Sequence, residues 1–238
     1  MAMEDRAILI TGANRGLGLE LARQYSQSGW EVIACCRMPE KAVELSRLAA
    51  NTAGRLQIMP LDVARPESIE RLGESLKGMP LDILFSNAGT YGPTSQGQLS
   101  TIQGDYPLWH EVFAVNTMAP VYLLAALKTN LLMGREKTIA LMSSKMGSIT
   151  DNTSGGAYIY RSSKAALNAV GKSLALDLAA EEIKLVMLHP GWVQTDMGGP
   201  NALITAEESV AGIRHVLEHL TLAQSGSFFN YDGAVLPW

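Results

Sequence analysis

Seven short apolar or β-branched runs punctuate the chain, at residues 7–10, 31–35, 56–61, 83–85, 137–142, 184–188 and 227–230. Between them lie longer stretches with apolar residues at helical spacing, which predict helices over 16–28, 40–50, 66–76, 106–130, 157–180 and 206–220. A near-continuous apolar run is what a strand buried on both faces requires, and alternating strands with helices supplies the covering layers. The expected architecture is α/β: a doubly wound sheet of about seven parallel strands flanked by helices on both faces. Thr205 and Glu208 stand where an N-cap and a third helical position would start the last helix. Three stretches rich in Gly, Ser, Thr and Pro, 89–104, 148–156 and 191–201, follow the fourth, fifth and sixth strands. In such a sheet all three gather at the carboxyl edge, where ligands bind.

Composition narrows the class. With 238 residues, 47% hydrophobic and 18% charged, the chain can build one large core, and it shows no repeat or linker, so residues 1–238 are expected to form a single domain. A net charge of −4 argues against nucleic acid or an anionic membrane as the main partner. Cys35 and Cys36 are adjacent, unsuited to an ordinary mutual disulfide and lacking metal-ligand spacing, which fits a reducing compartment. The first apolar run begins near Arg6, leaving no room for a secretory leader, and no uninterrupted apolar run of about 18 residues occurs. The expectation is a cytoplasmic protein with no membrane partner.

Two motifs carry chemistry. Tyr160 and Lys164 are four residues apart in a predicted helix, hence on one face, where an ammonium can tune a phenol for acid/base work. Far upstream, Gly12, Gly16 and Gly18 follow the first strand and open the first helix. They permit a tight turn and close backbone approach to a pyrophosphate at a helix N-terminus. Their spacing, Gly-x-x-x-Gly-x-Gly, departs from the commoner dinucleotide fingerprint.

With Thr11-Gly12-Ala13-Asn14-Arg15-Gly16-Leu17-Gly18 and Tyr160-x-x-x-Lys164 in this order, the chain resembles the short-chain dehydrogenase/reductase family over nearly its whole length. The resemblance implies a Rossmann-type fold and an NADP(H)- or NAD(H)-dependent oxidoreductase. It implies cofactor contacts from Gly12, Asn14, Arg15, Gly16, Leu17 and Gly18, and from Asp62 and Val63 on the adenine side. It also implies contacts from Asn87, Ala88 and Gly89 after strand four, from Pro190, Gly191, Val193 and Thr195 near the nicotinamide, and from Tyr160 and Lys164 at the ribose. Where members using NAD end strand two with an acid, this chain has Cys36 followed by Arg37. Arg37 and Arg15 therefore point to the 2′-phosphate of NADP(H), which a guanidinium suits and a carboxylate repels.

The same resemblance makes Asn116, Ser144, Tyr160 and Lys164 the catalytic set: relay post, second hydrogen-bond donor, proton donor and tuning cation. The family's serine corresponds to Ser144, but the distance to Tyr160 is about three residues longer than usual, so the spacing leaves Ser143 open and predicts a small insertion in 148–156. A free phenol titrates near 10, and a neighbouring ammonium is expected to lower it. Tyr158 lacks a lysine four residues on and is expected to pack or to wall the substrate pocket.

Asn152–Gly156 and the ending Phe229–Trp238 resemble the Sniffer and C-factor carbonyl reductase group within the family. That implies reduction of an aldehyde, ketone or quinone, with an NADP(H)-sensing or signalling protein as the alternative. It also implies a homodimer or homotetramer, pairing helices that carry Val112, Val115, Leu123, Leu127, Ala166, Val170, Leu174 and Leu178. The short segment between Thr195 and Thr205 implies an open pocket. No metal is expected: His215 and His219 share a helix face but lack a third ligand. His189 is expected to make a structural hydrogen bond, the methionines to fill the core, and residues 135–137 to form a solvated turn.

Overall fold

The computed structural model describes residues 6–92, 99 and 106–238. In chain order the elements are β1 (Ala7–Thr11), α1 (Gly16–Gln27), β2 (Glu31–Cys36), α2 (Val43–Ala50), β3 (Leu56–Pro60), α3 (Pro66–Ser75) and β4 (Ile83–Ser86). Then come α4 (Tyr106–Phe113), a π-helical turn (Ala114–Met118), α5 (Ala119–Met133), β5 (Thr138–Met142), α6 (Tyr158–Asp177), β6 (Lys184–His189), α7 (Ala206–Glu218) and β7 (Ser227–Asn230). The seven strands form one parallel sheet in the order β3-β2-β1-β4-β5-β6-β7. Strand order reverses between β1 and β4, which opens a crevice at their carboxyl ends.

Period-2 alternation assigns each strand residue to a layer. Ile8 and Ile10 pack with Leu21, Leu45 and Ile213 of α1, α2 and α7. Leu9 and Leu84 pack with Ile69, Leu123, Leu127 and Leu167 of α3, α5 and α6 on the other face. All five residues of β1 are buried, so at about 1.5–3 kcal/mol per fully buried aliphatic side chain the central strands anchor the fold.

The long helix predicted over 106–130 runs to Met133 and is interrupted by the π-helical turn at Ala114–Met118. There the buried Asn116 exchanges two hydrogen bonds with the Thr90 backbone, accepting at 2.9 Å and donating at 2.8 Å. The stretch Tyr106–Met133 is long and apolar enough to cross a membrane by length and composition. Here it is a core helix, with Leu123, Leu127 and Leu131 fully buried. Thr205 does cap α7, accepting from the Glu208 amide at 3.1 Å. The segment 135–137 is more than a solvated turn. The buried Asp82 carboxylate accepts from the backbone amides of Ala7, Arg135 and Glu136, tying β1 and β4 to the entry of β5.

Candidate active site

The glycine turn is tight because its glycines are. Gly12 and Gly16 have φ of +66° and +53°, a region that penalises any Cβ. A Cβ on Gly18 would lie 2.2 Å from the Gly12 carbonyl oxygen and 2.7 Å from Asn87 Nδ2. Asn87 braces this turn across the switch point, donating to the Thr11 and Gly12 carbonyls at 2.9 and 3.3 Å. The Thr11 hydroxyl oxygen in return accepts from the amides of Asn87 and Ala88. No side chain caps α1, and its first turn holds no acid. Bare amides and the positive dipole end thus face the crevice, which fits a dinucleotide pyrophosphate.

The charges expected at the 2′-phosphate part company. Arg37 is exposed after β2, with no ion pair among the described residues. Arg15 instead pairs with Asp196 at 2.6 Å, both side chains largely exposed, joining the glycine turn to the segment after β6. Asp62 caps its own loop, accepting from the Ala64 amide at 3.1 Å, and lies 3.4 Å from Arg65. With Val63 it follows β3, apart from the reacting groups.

Those groups converge on the N-terminal half of α6. Ser144 ends the extended segment after β5 and caps the turn Lys145–Gly147, accepting from the Met146 amide at 3.2 Å. Its hydroxyl hydrogen-bonds the Tyr160 phenol. Ser143 borders the same space, but its hydroxyl donates to Asn168 Oδ1 at 2.6 Å. Gly147 allows this arrangement, since a Cβ there would come within 2.8 Å of the Lys164 backbone. The Lys164 ammonium is buried, donates to the Met142 carbonyl at 2.7 Å and lies 5.8 Å from the Tyr160 ring centre. Gly89 leaves room beside it: a Cβ would lie 3.5 Å from Nζ and 3.3 Å from Asn116 Oδ1. Asn116 also donates to Ser163 Oγ at 3.0 Å.

Burial, not the ammonium, dominates the titration. It pushes the Tyr160 phenol up to about 12 despite the Ser144 hydrogen bond, with Tyr91 adding to the rise. It pulls Lys164 down to about 8. The expected lowering of the phenol is therefore reversed in the protein alone, because burial has taken the water from both groups. At neutral pH the phenol is protonated and the lysine still mostly charged.

Tyr160 and Ser144 open onto a cavity of about 600 Å³, also lined by Leu17 of the glycine turn and by Pro190, Gly191, Val193 and Thr195. Glycine turn, acid and post-β6 segment thus meet in one space, as the motif order implied. Arg37, Asp62 and Val63 lie outside it, on the β2 and β3 side.

Comparison with known proteins decides the family: the model described as short chain dehydrogenase matches residues 6–203. The chain belongs to the short-chain dehydrogenase family. It is 42% identical to C-signal of Myxococcus xanthus over 160 residues, 67% of this chain and 93% of that protein. Its fold matches the carbonyl reductase Sniffer of D. melanogaster with a TM-score of 0.90 at 35% identity, covering 99% of this chain and 100% of that one. An NADPH-bound carbonyl reductase from chicken fatty liver matches with a TM-score of 0.88 at 36% identity, again over 99% and 100%.

Against this short-chain dehydrogenase framework several expectations change. Tyr158 is exposed and takes no part in the cavity wall. His189 makes no hydrogen bond through its buried Nδ1 among the described residues, and burial lowers it to about 4, so it is a neutral ring in the cavity wall. Met146 and Met197 line the cavity rather than fill the core. Of the apolar residues named on the two long helices, Val112, Leu123, Leu127 and Leu178 are buried in this chain's own core and Val115, Ala166, Val170 and Leu174 are half-buried, while the exposed apolar residues there include Met118, Tyr122 and Leu176. Tyr91, whose ring lies 4.7 Å from that of Tyr160, was missed. It stands just beyond Asn87-Ala88-Gly89, so proximity to that motif was the available signal.

Proposed function

We propose that the chain is an NADP(H)-dependent carbonyl reductase acting on aldehydes, ketones or quinones, within the single domain 1–238. The observation that carries this reading is the Ser144–Tyr160 pair beside Lys164, at the edge of a cavity shared with the glycine turn. The turn, with Asn14 and the bare N-terminus of α1, would hold the pyrophosphate, and Arg37 the 2′-phosphate. Arg15 can join it by exchanging Asp196 for phosphate. When bound, NADPH supplies the hydride. Tyr160, kept protonated by burial, gives its proton to the oxygen that gains charge, so an acid is ready in the reductive direction. Ser144 donates a second hydrogen bond to that oxygen. Lys164 contributes its charge to the phenolate left behind and is a ribose ligand. Asn116 fixes the loop at Thr90 and so holds Gly89 beside Lys164.

The test is Tyr160→Phe, which keeps the ring and deletes the acid. Turnover in NADPH oxidation with a carbonyl substrate should fall about 10²–10⁴-fold, with NADPH affinity nearly unchanged. Similarity to C-signal favours a second reading, a signalling or NADP(H)-sensing protein with little turnover. A Tyr160→Phe protein that keeps wild-type rate or biological effect would support it. The buried free thiols support a reducing, cytoplasmic location. Assembly as a homodimer through the exposed Met118, Tyr122 and Leu176 face is checked by light scattering, where a monomer at micromolar concentration would end the idea.

A further inference from the structure

Arg161 follows the proposed acid and lines the same cavity, yet nothing in the reductase reading uses it. Its acceptors are all neutral. Nε donates to the Gly155 carbonyl at 3.2 Å, Nη1 to the Met146 carbonyl at 3.3 Å and Nη2 to Ser154 Oγ at 2.9 Å. A guanidinium has five N–H donors, so these three bonds orient it and leave two over. No carboxylate pairs with it among the described residues. Asp151 is the only acid among the described cavity-lining residues, and it is engaged by Lys145 at 3.4 Å. His189 is neutral there. The described wall thus carries Lys145, Asp151 and Arg161, a formal charge of +1 residing on Arg161.

Its position in the helix sharpens the point. Arg161 sits near the start of α6, where a cation is unfavourable beside the helix dipole and an acid would be preferred. That start has no acidic residue and no side-chain cap. A cation held by neutral groups, half-buried and at the wrong end of a dipole, is matched by an anion entering the cavity. The dinucleotide is not that anion: Arg161 is anchored to the segment between β5 and α6, whereas the phosphates fall to the glycine turn and Arg37.

Resting on the reductase reading above, we propose that Arg161 is a substrate-binding residue and that the preferred substrates are carbonyl compounds bearing a carboxylate. The cavity, about 600 Å³, has room for such a molecule with its carbonyl at Tyr160 and its carboxylate at Arg161.

The experiment compares two aldehydes of nearly the same shape, 4-carboxybenzaldehyde and methyl 4-formylbenzoate, which differ by one negative charge. With NADPH the wild-type protein should favour the acid by about tenfold or more in kcat/KM, the effect of one charge-assisted contact. In Arg161→Gln the acid-to-ester ratio should fall to about one, mainly through KM, and Arg161→Lys should restore part of it. The ratio is insensitive to general damage, since a disturbed loop slows both aldehydes. A wild-type ratio of one or less, or an unchanged ratio in Arg161→Gln, overturns the proposal while leaving the reductase reading intact. Reduction of neither aldehyde counts against the reductase reading, and binding then decides the site separately. Ligand-observed NMR should detect terephthalate on the full chain and lose it in Arg161→Gln. Failure to bind wild type, or equal binding to both, overturns the proposal.

Discussion

Replacing Lys164 by Met should abolish activity yet leave the protein as stable as before, or more so, at pH 7. The ammonium is completely buried and burial draws it from an ordinary 10.5 to about 8. That drop corresponds to about 3 kcal/mol of native-state penalty on the charged form. The hydrogen bond to the Met142 carbonyl at 2.7 Å is open to the neutral amine as well, so its loss in the variant costs a further amount of only about 0.5–1.5 kcal/mol. Methionine keeps the length, removes the charge and suits the apolar surroundings. The relieved penalty outweighs the lost bond, so urea unfolding at pH 7 should put Lys164→Met level with wild type or above it. The pH dependence is the sharper signature. A lysine whose folded pKa lies below its unfolded value binds fewer protons when folded, so wild-type stability rises with pH between about 8 and 10.5. The Met variant lacks this gain. The difference between the two should therefore move against the variant by up to about 3 kcal/mol across that window and be flat below it. Tyr160, present in both proteins, lowers the stability of each only above about 10 and cancels in the difference. A flat difference from pH 7 to 10.5, or a variant about 3 kcal/mol or more less stable at pH 7, would refute the reasoning.

Ser144→Ala should lower turnover about tenfold or more by removing a hydrogen bond to the reacting oxygen. Ser143→Ala, which loses only the bond to Asn168, should change rate less; steady-state kinetics of both variants check the order. Gly18→Ala drives a methyl to 2.2 Å from the Gly12 oxygen, so the turn must open. Thermal unfolding should show a loss of about 1–3 kcal/mol, and calorimetry a weaker grip on NADPH. Arg37→Ala should weaken NADPH by about tenfold while sparing NADH. Asp196→Asn, which frees Arg15, should strengthen NADPH modestly, and isotherms with both cofactors measure each change.

How much was readable in advance depends on the range of the physics involved. Strand alternation and helical spacing report which residues leave water, and these are local properties, so seven strands, their parallel pairing and the layers around Ile8 and Leu9 follow from residue order. The need for glycine at positions 12, 16 and 18 is a matter of turn sterics, equally local. Residues 143 and 144 mark where local rules end. Alternation stops at Met142, and which serine meets Tyr160 is settled by the following turn packing against Lys164 through Gly147. Arg15 meeting Asp196, 181 positions away, and Arg161 facing a cavity whose one acid among the described lining residues pairs with Lys145 are matters of which loops the topology brings to one edge. The titration of Tyr160 and Lys164 belongs to the tertiary structure for the same reason. Their spacing in sequence implies a shared helix face, but the sign of each shift comes from how much water the surrounding elements remove, and only the folded chain sets that.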